Sequence, residues 1–245
     1  MLELRSLPAT CATRRSESAC TGCGARAFSV CGALEPADLA RLDALAHKAA
    51  FAPGEALMRE GETADAMFNI TSGSVRVYKL LPDGRRQITG FLFAGDFLGL
   101  VSGARYGFSA EAIEPTTACR FRKTEYQALV RDCPALERAL FERATHELAA
   151  AQNQLLLLGR KTAQERIASF LLDLPAHDPM RETPAGHVRL PMTRTEIADY
   201  LGLTIETVSR ALTKLKTTGV IRLLSLNELR IEQPERLRAL TEGDA

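Results

Sequence analysis

Residues 193–219 read TRTEIADYLGLTIETVSRALTKLKTTG, and no other stretch restricts the fold as tightly. Thr193 and Glu196 form an S/T-x-x-E capping box, which satisfies free N–H groups at the start of a helix. Ile197, Tyr200 and Leu201 then share one face. Gly202 supplies a turn, and Thr204 is placed to cap a second helix running to about residue 217. On that helix Val208, Ala211, Leu212 and Leu215 face inward, leaving Ile205, Glu206, Ser209 and Arg210 outward over the first turns. Two short capped helices around a glycine turn predict a helix-turn-helix. Its second helix presents N-terminal residues to base edges in the major groove of double-stranded DNA.

The outward residues suit that task. Arg210 has the fork to reach O6 and N7 of guanine, Glu206 accepts from N4 of cytosine, and Ser209 permits close approach. The plainer reading of Glu206 and Arg210 is an i,i+4 surface ion pair, which the capped two-helix frame outweighs. Thr204, Thr207 and Lys214 complete the candidate DNA face. Net charge is only +1. Locally, however, Arg210, Lys214, Lys216 and Arg222 stand against Glu206 alone, a patch suited to phosphates.

The chain has 245 residues, 46% of them hydrophobic, enough for two modest domains. Its longest apolar run, 155–158, is too short for a membrane span, and the N-terminus lacks a signal peptide's apolar core. The expectation is a cytoplasmic chain with no membrane partner, whose six cysteines are thiols or metal ligands rather than disulfides.

Cys11, Cys20, Cys23 and Cys31 lie in a segment poor in large apolar residues. Cys20-Thr-Gly-Cys23 is a C-x2-C pair, and Cys31 follows after seven residues. Gly22, Gly24 and Gly32 let the backbone curl so that thiolates converge, as zinc or an iron–sulfur cluster requires. Cys119, in a predicted strand, is one candidate for a fourth ligand, and Cys11 is its rival. Cys133 reads as structural. His47, His146, His177 and His187 are scattered and add no ligand spacing.

Residues 34–50 read as an amphipathic helix. Beyond them the apolar period falls to two, with short strands predicted at 56–58, 66–71, 74–80, 86–93, 110–113 and 116–122 between Gly- and Asp-containing turns, the pattern of a β-sandwich or jelly roll. Residues 134–174 read as a long helical region broken near Gly159. On it Phe141, Ala144, Leu148, Ala151, Leu155, Leu158 and Thr162 recur at three and four, a seam suited to pairing with a second copy. A short strand at 188–190 precedes the helix-turn-helix, and 220–224 with 228–231 form a hairpin wing after it. The fold class is therefore α+β. Four segments follow: 1–33 cysteine-rich, 34–133 β roll, 134–158 dimerisation helix and 159–245 winged helix-turn-helix. No nucleophile–base pair or phosphate-cradling glycine loop points to an enzyme.

Assembled in this order, the chain resembles the Crp/Fnr superfamily of bacterial transcription regulators, and specifically its FNR type. QITGFLFAGDFLGL (87–100), RKTAQERIASFLLDL (160–174) and MTRTEIADYLGLTIETVSRAL (192–212) carry the resemblance. It implies a cyclic-nucleotide-binding-like jelly roll, a dimerisation helix and a winged helix-turn-helix. It also implies a [4Fe–4S] cluster on Cys20, Cys23, Cys31 and Cys119, formed without oxygen and favouring the DNA-binding homodimer. Glu206, Ser209 and Arg210 match the E-x-x-S-R pattern that reads TTGAT half-sites in an inverted repeat. Ile205 stands where cyclic-AMP-dependent relatives have an arginine. RNA polymerase is the implied further partner, through residues 82–85 and 177–186. Two departures stand out. The best-known members have five residues, not seven, between the second and third ligands. In 95–112, Phe108 precedes Ser109 where a nucleotide-binding arginine would stand, so no cyclic nucleotide is expected. The alternative within the same fold is a regulator whose cysteines bind zinc or sense thiol oxidation.

Overall fold

In a computed structural model of the chain, residues 20–101, 103–178 and 184–242 are described. Eight strands form two four-stranded sheets. They are β1 (His47–Phe51), β2 (Ala56–Met58), β3 (Ala66–Ser72), β4 (Ser74–Leu80), β5 (Arg86–Phe93), β6 (Phe97–Leu98), β7 (Ser109–Ala112) and β8 (Thr116–Arg122), in the orders β1-β8-β3-β6 and β2-β7-β4-β5. Their pairings are antiparallel. Leu57, Phe68, Ile70, Val75, Val77, Ala110 and Ala118 fill the space between them, as expected of a jelly roll.

Alternation along β3 sends Phe68 and Ile70 into that core and Met67 to the opposite face, because successive strand side chains point to opposite sides. The outer face packs against α1 (Pro36–Leu45), α2 (Lys123–Asp132) and the root of α3 (Pro134–Arg160), in a second cluster containing Leu39, Leu42, Phe97, Phe121, Tyr126, Leu136 and Leu140.

Several elements differ from the sequence expectation: β6 and α2 are additions to it. The helix predicted over 34–50 stops at Leu45, and His47–Phe51 becomes an edge strand on β8. HKAAF carries no alternating apolar signal because this edge is largely exposed. The long helix continues past Gly159 to Arg160, and the break falls at Lys161 and Thr162. Thr162 caps α4 (Ala163–His177) in a full capping box with Glu165, and so leaves the predicted seam. Leu158 has a contact within the chain as well. It is half-buried against the C-terminal core beside the buried Leu157, since at this end the inner face of α3 meets the C-terminal domain.

That domain contains α4, β9 (His187–Arg189), α5 (Arg194–Leu201), α6 (Ile205–Thr217), β10 (Ile221–Leu223), β11 (Glu228–Ile231) and α7 (Pro234–Glu242), with sheet order β10-β11-β9. Ile167, Leu171, Leu201, Val208, Leu212, Leu215, Ile221 and Leu237 form its core. The β10–β11 hairpin is the expected wing.

The two domains are clamped by charge. Arg76 on β4 bridges Glu111 on β7 and Glu196 on α5, with Glu196 Oε1 2.6 Å from the guanidinium. Arg86 pairs with Asp199 at 2.9 Å, Gln87 donates to the Asp199 carbonyl, and Arg189 pairs with Glu114. Phe91, Phe170 and Tyr200 stack across the same join. Breaking one side of such a buried pair leaves an uncompensated charge, so the roll fixes the position of α5.

Candidate functional site

The recognition surface forms as its capping chemistry predicts. Thr193 and Glu196 complete the capping box of α5, Gly202 ends it at φ 61°, and Thr204 Oγ1 accepts from Thr207 N–H at 3.3 Å to open α6. Val208, Leu212 and Leu215 are buried, whereas Thr204, Ile205, Glu206, Arg210 and Lys214 are exposed and Thr207 and Ser209 half-buried. The Glu206 carboxyl lies below its usual range because its own backbone N–H and the Thr204 hydroxyl donate to it, with the charge of Arg210 contributing least. The Arg210 guanidinium is 3.5 Å from Thr207 Oγ1. Lys214 Nζ donates to Gln164 on α4. Arg194, which the sequence pattern did not single out, reaches Ser209 Oγ at 3.4 Å and adds an exposed cation to the same face. Its sole sequence signal is its position at the first turn of α5.

A second site lies on the outer face of the roll. Residues Gly24–Phe28 and Val30–Ala33 form two 3-10 turns that press the cysteine segment onto β3 and β8. At Gly32 a Cβ would lie 2.9 Å from the Arg26 carbonyl, so only glycine permits this curl. Gly22 has open space around it, and the curl does not depend on it. Phe28 packs on Gly95, where a Cβ would come within 2.8 Å of it.

Cys20 and Cys31 are buried, and Cys23 and Cys119 half-buried. Cys20, Cys31 and Cys119 share one apolar cluster with Leu136 and Leu140 of α3. The Cys20 thiol donates to Asp43 Oδ1 at 3.1 Å, and Asn69 Nδ2 donates to Cys31 Sγ at 3.4 Å. Burial, then the Asp43 carboxylate, pushes the Cys20 thiol up to about 12. Burial, then the neighbouring Cys31 and Cys23, pushes Cys119 up to about 11, and burial also raises Cys31. Thiols held this high are poor nucleophiles. Among the described residues no three His, Cys, Asp or Glu side chains close on a point suited to a single metal ion. Cys133 is buried at the N-cap of α3, as its structural reading expects. Cys11 lies outside the described residues.

The third feature is the exposed flank of α3. Phe141, Leu148 and Leu155 are 72%, 59% and 72% exposed, with Ala144 and Ala151 open between them. Positions 141, 144, 148, 151 and 155 keep the a/d spacing of a heptad. At its root, Arg143 pairs with Asp96, which follows the Gly95 that seats Phe28.

A winged helix-turn-helix joined through a long helix to a jelly roll defines a DNA-binding transcription regulator carrying a second, sensor-like domain. Comparison with known proteins makes this specific. Residues 165–240 match the Crp-like helix-turn-helix domain and 48–133 the cyclic nucleotide-binding domain. The transcriptional activatory protein AadR of Rhodopseudomonas palustris is 43% identical over 231 residues, 94% of this chain and 95% of that one. The nitrogen fixation regulation protein FixK of Bradyrhizobium diazoefficiens is 41% identical over 221 residues, 90% and 93% of the two chains. The solved structure of FixK2 from Bradyrhizobium japonicum superposes with a TM-score of 0.74 at 39% identity, covering 80% of this chain and 96% of that one. The chain belongs to the Crp/Fnr family of transcription regulators. Phe108 is half-buried against the roll, and Ser109 Oγ accepts from Glu60 N–H. Among the described residues no helix is long and apolar enough to cross a membrane.

Proposed function

We propose that this regulator is of the FNR type: an activator whose [4Fe–4S] cluster, held by Cys20, Cys23, Cys31 and Cys119, controls pairing of two copies on TTGAT-type inverted repeats. The observation that carries the reading is that Cys20, Cys31 and, almost ninety residues on in sequence, Cys119 share the cluster at the root of α3, with Cys23 within electrostatic reach of Cys31 and Cys119. Their chemistry fits the group. Cys20, Cys31 and Cys119 lie in a desolvated apolar cluster, and two buried polar atoms of the same region, Asn69 Oδ1 and Tyr126 Oη, lack a hydrogen-bond partner among the described residues. A sensor of thiol oxidation would need accessible thiolates, which burial disfavours here.

When bound, the cluster supplies a redox-active, oxygen-sensitive centre. The chain's own residues do the rest. Cys20, Cys23 and Cys31 hold the segment on the face of β3 and β8, with Cys119 as the anchor on β8. Val30 and Leu34 then pack with Leu136 and Leu140, and Phe28 seats on Gly95 beside the Asp96–Arg143 pair. Ordering the segment thus bears on the angle and rigidity of α3. Its seam of Phe141, Ala144, Leu148, Ala151 and Leu155 meets the same seam of a second copy. Converting a mostly single population to a mostly paired one needs about 5.5 kcal/mol of differential interaction. Pairing sets two recognition helices about 34 Å apart, one turn of duplex.

On each half-site Arg210 takes guanine, Glu206 cytosine, and Ser209 allows close approach, while Thr204, Thr207, Lys214 and Arg194 hold phosphates. RNA polymerase is the partner of the bound dimer. Pro82–Arg85, an exposed turn closed by the Asp83–Arg85 pair, is one contact; of the other, 177–186, residues 179–183 lie outside the described residues.

Arg210→Ala should cost about 1–3 kcal/mol and relax preference at one guanine. Fluorescence anisotropy on operators altered at single positions reads both. An equal loss on every sequence, with preference intact, would count against base reading. For the cofactor, protein purified without oxygen should carry iron, sulfide and a broad visible absorbance that fades in air. A colourless protein containing zinc would overturn the assignment.

A further inference from the structure

Asn69 is an amide where packing alone calls for an apolar side chain. It stands on β3 directly opposite Cys119, two residues from the buried Met67, and is 3% exposed. Its Nδ2 donates to Cys31 Sγ, yet its Oδ1 has no hydrogen-bond partner among the described residues. Burying a carbonyl oxygen unpaired costs about 1–3 kcal/mol, a cost that leucine in the same space would avoid. Tyr126 repeats the pattern. Its ring is locked between Phe97 and Phe121, and its hydroxyl is buried and unpartnered among the described residues, within electrostatic reach of Cys31 and Cys133. Two orphaned polar groups, one on the residue bonded to the Cys31 thiol and one within its electrostatic reach, have no return in packing. They have one if the thiol becomes a charged ligand.

We infer that Asn69 is a positioning residue for the metal centre, donating its amide N–H to the Cys31 sulfur and withdrawing charge from it, so that it raises the reduction potential of the bound group and lengthens its life in air. The inference rests on the [4Fe–4S] reading above. A neutral thiol accepts a hydrogen bond weakly, whereas bonds to an ionised acceptor are roughly twice as strong. The amide's contribution therefore grows when Cys31 gives up its proton to a metal. Hydrogen bonds to ligand sulfurs are one of the means by which a protein sets the potential of an iron–sulfur centre. Register explains why Asn69 is placed to do this. Opposed residues of neighbouring strands stand about 5 Å apart on the same face, so Asn69 faces the cysteine segment alongside Cys119, and its short side chain reaches the sulfur across the join. The carbonyl is left unpartnered among the described residues, on the same side as the thiols.

Asn69→Leu tests this, because it keeps the volume and removes both the donor and the orphaned oxygen. The metal-free variant should melt at the same temperature as the wild type or higher, since an uncompensated polar group has gone. Reconstituted without oxygen, it should show a more negative reduction potential by voltammetry and lose its visible absorbance in air about tenfold faster. Asn69→Ser, which keeps a donor, should fall between the two. If leucine is not accommodated, Asn69→Ala removes the same donor and is measured in the same way. A coloured wild type beside a variant of unchanged potential and unchanged air lifetime would overturn the inference and leave the cofactor assignment standing. A wild type that takes up no iron–sulfur centre would overturn that assignment, and this inference with it.

Discussion

Leu148→Asp should yield a folded, cluster-loaded chain that no longer pairs. Leu148 lies midway along α3, 59% exposed, one heptad from both Phe141 and Leu155. Nothing within the described chain depends on it for burial, so the melting temperature of the single copy should hardly move. In a pair the two copies face each other, and each carboxylate would be desolvated against an apolar seam. Truncating a central anchor costs about 2–4 kcal/mol. Taken twice across a symmetric interface, about 6 kcal/mol is roughly four powers of ten in the dissociation constant. Analytical ultracentrifugation reads the change, and binding to the inverted repeat should fall with it while visible absorbance persists. Ala149→Asp, exposed and off the seam, is the control and should leave pairing within a few-fold of the wild type. Equal effects of the two would mean that the helix pairs through another face.

Cys119→Ala should abolish the metal centre. Cys119 lies mid-strand between β1 and β3, where backbone pairing on both sides holds β8 without its side chain. The metal-free fold should therefore survive, with iron and sulfide content near background and weak DNA binding that no longer depends on air. Cys133→Ala makes the sharper comparison. Cys133 is 1% exposed in the same cluster, and losing its sulfur should cost about 1 kcal/mol or more through the cavity left behind. It should nevertheless keep the colour and the oxygen response. If the two variants were reversed in these properties, the ligand set would have to be redrawn around Cys133.

What the sequence revealed follows from the range of the interactions. The helix-turn-helix was legible residue by residue because Thr193, Glu196, Gly202 and Thr204 act within three or four positions of themselves. Six of the seven strands from Ala56 to Arg122 were legible because glycines and acidic residues mark their turns; the two-residue β6 is too short to carry a period. β1 was missed because HKAAF is an exposed edge without alternation. The contact of Leu158 with the C-terminal core was not legible, because a helical period does not say which neighbour a face meets. The clamp of Arg76 on Glu196 spans 120 residues, and the contact of Asn69 with Cys31 spans 38. No local pattern announces either. The cysteine spacing is the local signal behind the proposed metal site, whereas the nearness of Cys119 to Asn69 comes from the β3–β8 register, which no local pattern gives.

The most direct test of the central claim is the mass of the wild-type chain in solution, measured by sedimentation on one sample before and after exposure to air, with visible absorbance followed in the same cell. The account predicts a coloured pair before exposure and a largely single, colourless chain after it, with affinity for the inverted repeat lost in parallel. A chain whose mass and operator affinity stay the same while the colour disappears would contradict it.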